Sequence, residues 1–561
     1  MSASEFGPWN PGLKSEVPKE LRHLATIFRP DNVFTSIASA EELRGLTGLA
    51  LSELVAFRPQ RLALHELLVR VTADFAVPDG TRIEDLGLNF REIARGLLAQ
   101  HLEPGMPAIV AAHQHARRNV QTLVAAALSR LSRNWGPAEI AELEAHGGAC
   151  ADAAGVAAYK SLARVMSALF ATNGIAWGTR DLIVAMATDL AGNDFGSECI
   201  GRAIEPMLQN AAREPGHVLL PRQEHPVVIN TKGPSASGKS TLRPMQKKLA
   251  GSIGVEWSDF ALISPDIWRK QLLDYASLGA AYKYAAAFTS DEVQIIDQKL
   301  DRYMAGKNRR GEMSHLMIDR FRFDSFAPDS DEAGSNLLTR FGQIVYLFFM
   351  ITPPAMLVER AWKRGLEFGR YKAVDDTLAH AVEAYSGIPD VFFTWVRRSD
   401  KRIRFEFLDN TVRLGERPRT AAFGDNETFN VLDVKASLDI ERYARINVDA
   451  VAPEYLYPDR TLLAPDKNVA FLKRCVDGFR RVNFADQASG RLYLRIENGV
   501  PRLLDPDAFQ TAITHPDTLA AIRAVAPAAL RGGVPATPCA EYLHADQDRG
   551  VPTLGQWGPS A

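Results

Sequence analysis

Apolar residues recur at helical spacing through the first two hundred positions. Val120, Leu123, Val124, Ala127, Leu128 and Leu131 fall at i, i+3, i+4, i+7, i+8 and i+11, which is one stripe along one helix face. Helices are likewise expected over Gln60–Phe75, Ala153–Phe170 and Arg180–Leu190, separated by breakers such as Glu103-Pro-Gly and Gly174. After Glu214-Pro-Gly and Pro221 the pattern changes. Short strand-like runs, most of them apolar without alternation, at Val227–Thr231, Phe260–Ser264, His315–Asp319, Ile344–Ile351 and Arg402–Leu408, are now spaced by helix-length intervals. Such runs suit strands covered on both faces, and the intervals suit right-handed crossovers, so the pattern predicts an α/β segment built on a parallel sheet. Beyond about Ala450 the pattern is mixed. It predicts a helix near Asn468–Val482, a hairpin turning at Asn498-Gly499 between Leu492–Ile496 and Arg502–Leu504, and a helix near Thr518–Ala524. The last dozen residues read as flexible. The expected organisation is an all-helical domain over 1–215, an α/β domain over 222–445 and a small α+β region over 446–561.

Composition narrows the function. The 561 residues are 46% hydrophobic and 24% charged, which fits a globular chain and excludes disordered and fibrous classes. With 65 Lys+Arg against 67 Asp+Glu there is no overall basic field, so nucleic acid is a disfavoured partner. Cys150, Cys199, Cys475 and Cys539 are far apart, as expected of free thiols in a reducing compartment. No apolar run is long enough to span a membrane, and the start, MSASEFGPWN, lacks the plan of a Sec signal peptide. The expectation is synthesis in the cytoplasm, with export as an effector without a cleaved signal still open. His113-x-His115 does not read as a metal site, because residues two apart on a helix point to different faces.

The sharpest chemistry lies at Gly233-Pro-Ser235-Ala-Ser237-Gly238-Lys239-Ser240-Thr241, which satisfies G-x-x-x-x-G-K-[ST] directly after an expected strand and before an expected helix. In that setting backbone N–H groups converge on phosphates, Lys239 reaches the β/γ-phosphates and Ser240 ligates Mg²⁺, which implies ATP and magnesium as cofactors. Pro244 sits too deep for an ordinary first turn, so the helix is kinked there or begins late. A guanine-reading Asn-Lys-x-Asp and a Leu-Ser-Gly-Gly signature are both absent, while Asp194-Phe-Gly196 and Ala452-Pro-Glu454 are kinase-like fragments without their partners.

Asp266 follows the second strand, where a carboxylate could take the proton from an acceptor hydroxyl; it could equally cap the helix Ile267–Leu273. Asp319 ends the third strand in the manner of a Walker B position for Mg²⁺. Arg360 and Arg364 share a helix face, and Gly365 and Gly369 would let Arg370 swing, so the three could neutralise a γ-phosphate or merely form a solvated basic helix end.

In this order, the phosphate loop, Ser-Pro-Asp266-Ile-Trp-Arg269, Ile318-Asp319-Arg-Phe-Arg322 and Val358-Glu-Arg360…Arg364-Gly…Gly369-Arg370 resemble the zeta-toxin family of P-loop kinases over roughly residues 225–435. The resemblance implies a P-loop kinase core and ATP-dependent phosphorylation of a sugar hydroxyl on a nucleotide-type metabolite, typically UDP-N-acetylglucosamine. Related bacterial effector kinases act on NAD. It also implies Asp266 as the base and Arg360, Arg364 and Arg370 as lid arginines, and a toxin or effector with an antitoxin or chaperone partner. Arg320-Phe-Arg322-Phe-Asp324 departs from the small hydroxylated residues expected after Asp319, which leaves the acceptor open. Two other readings compete: a nucleotide-gated interaction protein with weak ATPase activity, and a polynucleotide kinase, which needs a basic groove.

Overall fold

All five expected strands of this segment form: Val227–Lys232 (β1), Phe260–Ile263 (β2), His315–Ile318 (β3), Ile344–Ile351 (β4) and Arg402–Asp409 (β5). This is seen in a computed structural model that describes residues 6–82, 84–320, 337–413, 415–532, 534, 541–544 and 552–559. The five pair in parallel in the order β5-β4-β1-β3-β2. Every residue of β1 to β3 is buried, which is why their sequences carry no polar alternation. In register, Asn230 of β1 faces Ile318 of β3 on one side and Leu347 of β4 on the other. The chain therefore leaves β1, β3 and β4 side by side at their carboxyl ends, where a ligand of an open parallel sheet is held.

The sheet does not stop at β5. Arg419–Asp425 (β6), Thr428–Val431 (β7), Arg481–Ala485 (β8), Leu492–Glu497 (β9) and Val500–Leu503 (β10) extend it to ten strands, in the order β10-β9-β8-β7-β6-β5-β4-β1-β3-β2. The added part is largely antiparallel, so the fold is mixed α/β. Strands after residue 446 thus join the sheet of the α/β segment instead of building one of their own. Asn498 and Gly499 both take positive φ, 50° and 77°, as the Asn-Gly hairpin signal requires. The helix expected near Asn468–Val482 is shorter, Ala470–Gly478, because the chain turns at Gly478 and Val482 enters β8. A ring cluster around Phe392, with Phe349, Phe405, Phe407, Phe429 and Phe471, packs one face of the sheet.

The chain divides into two compact units. One comprises the chain up to Glu16, Leu220–Ser264 and everything from Met304 on; the other comprises Val17–Leu219 with Pro265–Tyr303. The second unit is helical, as the first two hundred positions predict, with helices at Pro59–Asp74, Met106–Arg130, Ala153–Asn173, Arg180–Ala191 and Ser197–Ala211. Its membership differs from a division at residue 215, because the segment 265–303 belongs to it. The physical reason is a buried polar network. Glu292 accepts hydrogen bonds from Arg61 and His65, and Lys299 donates to Ser197 and meets His65 Nδ1 at 3.2 Å. Charges buried this deeply persist only when paired, so these helices keep their partners together.

The chain end also differs from its flexible reading. Residues 552–559 pack on the sheet unit, with Leu554 and Trp557 buried and Trp557 against Phe423. Glu406 of β5, itself buried, accepts from the backbone N–H of Leu554 and Gly555 and from the Thr420 hydroxyl. Burial pushes its carboxyl up to about 7 against these hydrogen bonds and the pull of Arg417. Between its unfolded value of 4.5 and about 7, the folded protein holds a proton that the unfolded chain releases. The stability it contributes is complete below pH 4.5 and is lost as pH rises through about 7. Trp557 fluorescence and protease cleavage ahead of Leu554 should therefore show the chain end loosening between pH 5 and pH 8, and Glu406→Gln should flatten that profile. A profile unchanged by the substitution assigns the loosening to another group.

Candidate functional site

The motif residues 233–241 leave the end of β1 as a loop and a short 3-10 turn, Lys239–Leu242, before the helix Arg243–Ser252. This resolves Pro244. The α-helix begins late, so Pro244 lies in its first turn, where its missing N–H costs no helical hydrogen bond. Gly238 has φ +94°, and a Cβ there would stand 2.4 Å from Asn410 Nδ2, so only glycine serves. Ala236 also takes positive φ, 64°, a strained conformation that costs about 1–2 kcal/mol and that protein loops retain mainly at functional sites.

Within the loop, Lys239 Nζ donates to the carbonyls of Gly233 and Pro234 at 3.0 and 3.1 Å, which folds the ammonium back over the loop. The Thr241 hydroxyl donates to Gly238 O at 2.6 Å and closes the turn. Ser235 is partly exposed. Ser237 Oγ is buried and has no hydrogen-bond partner among the described residues, a donor of the kind a bound phosphate satisfies.

The Ser240 hydroxyl lies 3.4 Å from Asp319 Oδ2, so the two expected magnesium ligands meet across β1 and β3. Arg243 approaches the same carboxylate at 3.9 Å. Among the described residues, no group of three or more His, Cys, Asp or Glu side chains could hold a metal. A hydroxyl and a carboxylate nonetheless suit Mg²⁺, which binds through one or two protein oxygens and takes the rest of its shell from phosphate and water.

The basic segment behaves differently from its expectation. It lies on the helix Pro354–Phe368. Arg360 is half-buried, and its NH2 donates to the carbonyls of Asn410 and Val412 at 2.9 and 2.8 Å. Burial lowers its pKa. It anchors the loop after β5. Arg364 and Arg370 are partly exposed, Arg370 following the left-handed helix cap at Gly369. Gly365 is not a swivel: the Tyr371 ring lies against it, 2.5 Å from where a Cβ would be, and Tyr371 stacks edge-on with Trp362. Arg320 is buried and its carbonyl lies 3.5 Å from Lys232 Nζ, whereas Arg322 and Asp324 fall outside the described residues.

Asp266 belongs to the helical unit, in the 3-10 turn Pro265–Trp268 that follows β2 by one residue. It is exposed, and Arg269 Nε donates to its Oδ1 at 2.8 Å. Arg269 is itself held by Ala286 O and Thr289 Oγ1. The pairing gives the carboxylate a fixed direction.

The sequence reading overlooked Thr352 and Asn410. Thr352 is the first polar residue beyond the apolar run of β4 and Asn410 directly follows β5, both at the sheet end where ligands lie, and that position was the available signal.

No protein-family model matches this chain, and no curated protein does. A solved structure that does match comes from work described as "Molecular and structural characterization of the PezAT chromosomal toxin-antitoxin system of the human pathogen Streptococcus pneumoniae". It is 15% identical, covers 37% of this chain and 75% of its own, and has a TM-score of 0.24. A likeness of that degree carries no chemistry across. The functional reading rests on this chain's own residues.

Proposed function

We propose that the chain is a phosphotransferase that binds ATP with Mg²⁺ at residues 233–241 and moves the γ-phosphoryl group to a hydroxyl of a small nucleotide-linked metabolite. The observation that carries this reading is the strand–loop–turn from β1 to Arg243, with Ser240 beside Asp319 and an orphaned Ser237 hydroxyl. Lys239, swung from its loop carbonyls, would pair with the β/γ-phosphates, while Ser240 and Asp319 would hold magnesium, which supplies charge neutralisation on the transferring group. Asp266 is assigned the acceptor's proton, and Arg364 and Arg370 the equatorial phosphoryl charge. Arg360 serves this site through the loop that it anchors.

UDP-N-acetylglucosamine and NAD represent the acceptor class, and draining such a metabolite would make the protein a toxin or effector restrained by an antitoxin or chaperone. The test is labelled ATP offered with a panel of UDP-sugars and NAD, with products identified by mass spectrometry. One labelled phosphoryl group on one panel member is expected, and Lys239→Ala should lower ATP affinity and transfer by at least about a hundredfold. Slow hydrolysis with no labelled acceptor would instead favour a nucleotide-gated interaction protein, and label on nucleic-acid 5′ ends a polynucleotide kinase.

A further inference from the structure

The carbonyl of Ser237 is gripped from behind the phosphate loop. Asn410 Nδ2 donates to it at 2.6 Å, and the Thr352 hydroxyl donates to it at 3.3 Å. Both residues are buried, and they sit just past β5 and β4. Each is braced in turn. The Asn410 N–H donates to Ile351 O, and its carbonyl accepts from Arg360. The Tyr385 hydroxyl donates to Thr352 O and accepts from Thr352 N–H, both at 2.7 Å.

A trans peptide is planar, and its C=O and N–H point in opposite directions. Fixing the Ser237 carbonyl toward Asn410 therefore fixes the Gly238 N–H on the opposite side of the same peptide. Without the grip, the freedom of Gly238, two residues after the strained Ala236, would let this peptide turn over.

We propose that Asn410, supported by Thr352, is a positioning residue that locks the 237–238 peptide so that its N–H is presented to the polyphosphate of the nucleotide. Arg360 holds Asn410 in place by its carbonyl. The inference rests on the reading of residues 233–241 as a nucleotide-phosphate loop, and it explains why Asn410 approaches Gly238 closely enough to exclude a Cβ.

Calorimetric titration of the full chain with ATP, inorganic tripolyphosphate and AMP, each with Mg²⁺, tests it. Asn410→Ala should weaken ATP and tripolyphosphate by about five- to tenfold, the worth of one hydrogen bond, and leave AMP within twofold. A change confined to general packing would not separate the three ligands. Thr352→Val should show the same selectivity at about two- to threefold, and Thr352→Ser should restore it; this pair carries the test if Asn410→Ala does not fold. Unchanged ATP affinity in Asn410→Ala, or equal losses for ATP and AMP, overturns the role. Lys239→Ala run alongside separates the two levels. If it weakens ATP while Asn410→Ala does not, only the positioning role falls; if neither variant affects ATP, the phosphate-loop reading falls as well.

Discussion

On the phosphotransferase reading proposed above, Asp266→Asn is expected to reduce phosphoryl transfer by about 10²- to 10⁴-fold while leaving ATP affinity within twofold. The substitution keeps the shape and the contact with Arg269, since an amide oxygen still accepts from Nε at the same place. It removes only the capacity to take a proton. The acceptor hydroxyl must lose its proton as its oxygen bonds to phosphorus, so a variant without a base binds both substrates and stalls at chemistry. Asp266 is favoured for this because it follows the end of β2, is exposed, and has its direction set by a guanidinium that Ala286 and Thr289 hold. Single-turnover transfer and ATP titration on the same preparation separate the steps. Full transfer in the variant would remove Asp266 from the chemistry. A loss of ATP affinity equal to the loss of rate would place it in nucleotide binding.

The parallel half of the sheet was legible because β2, β3 and β4 are almost wholly apolar, as burial on both faces imposes, and because β1 and β5 carry branched and aromatic residues at helix-length intervals from them. β6, β7 and β8 were not. Arg419-Thr-Ala-Ala-Phe-Gly-Asp carries small residues where a strand signal would need branched or aromatic ones, and its Gly424 is required because the carbonyl of Thr428 passes 1.9 Å from where a Cβ would be. The phosphate loop and its Ser240–Asp319 pair were legible because spacing and strand ends specify them. Arg360 was legible as a cation near the site but not as an anchor, because its acceptors are two backbone carbonyls fifty positions away and carbonyls leave no mark in a sequence. Asn410 escaped for the same reason, since its acceptor is the Ser237 carbonyl. The assignment of 265–303 to the helical unit depends on Glu292 and Lys299 finding partners more than a hundred positions earlier, and local periodicity cannot report that.

That network carries the largest stability effect expected. Glu292→Ala should cost about 3–5 kcal/mol, which corresponds to roughly 10 °C in the melting temperature of a unit this size. Glu292 is fully buried and accepts from Arg61 Nε at 2.5 Å, Arg61 NH2 at 2.7 Å and His65 Nε2 at 2.7 Å. Burial alone would raise its pKa, but the Arg61 charge and the His65 hydrogen bond hold it well below the ordinary carboxylate range. His65 is lowered to about 4 by burial and by Lys299, so it stays neutral, donates from Nε2 and receives Lys299 at Nδ1. Glu292 is the carboxylate paired with Arg61 among the described residues, and alanine leaves the little-exposed guanidinium with only the Leu272 carbonyl and the His65 N–H without its acceptor. Replacing both ends, as in Arg61→Met with Glu292→Leu, should cost less than Glu292→Ala alone, because no orphaned charge remains. Urea unfolding followed by circular dichroism measures both variants. A loss below about 1 kcal/mol for the single substitution, or additive losses in the double, would show that the network is solvated and does not hold 265–303 to the helical unit.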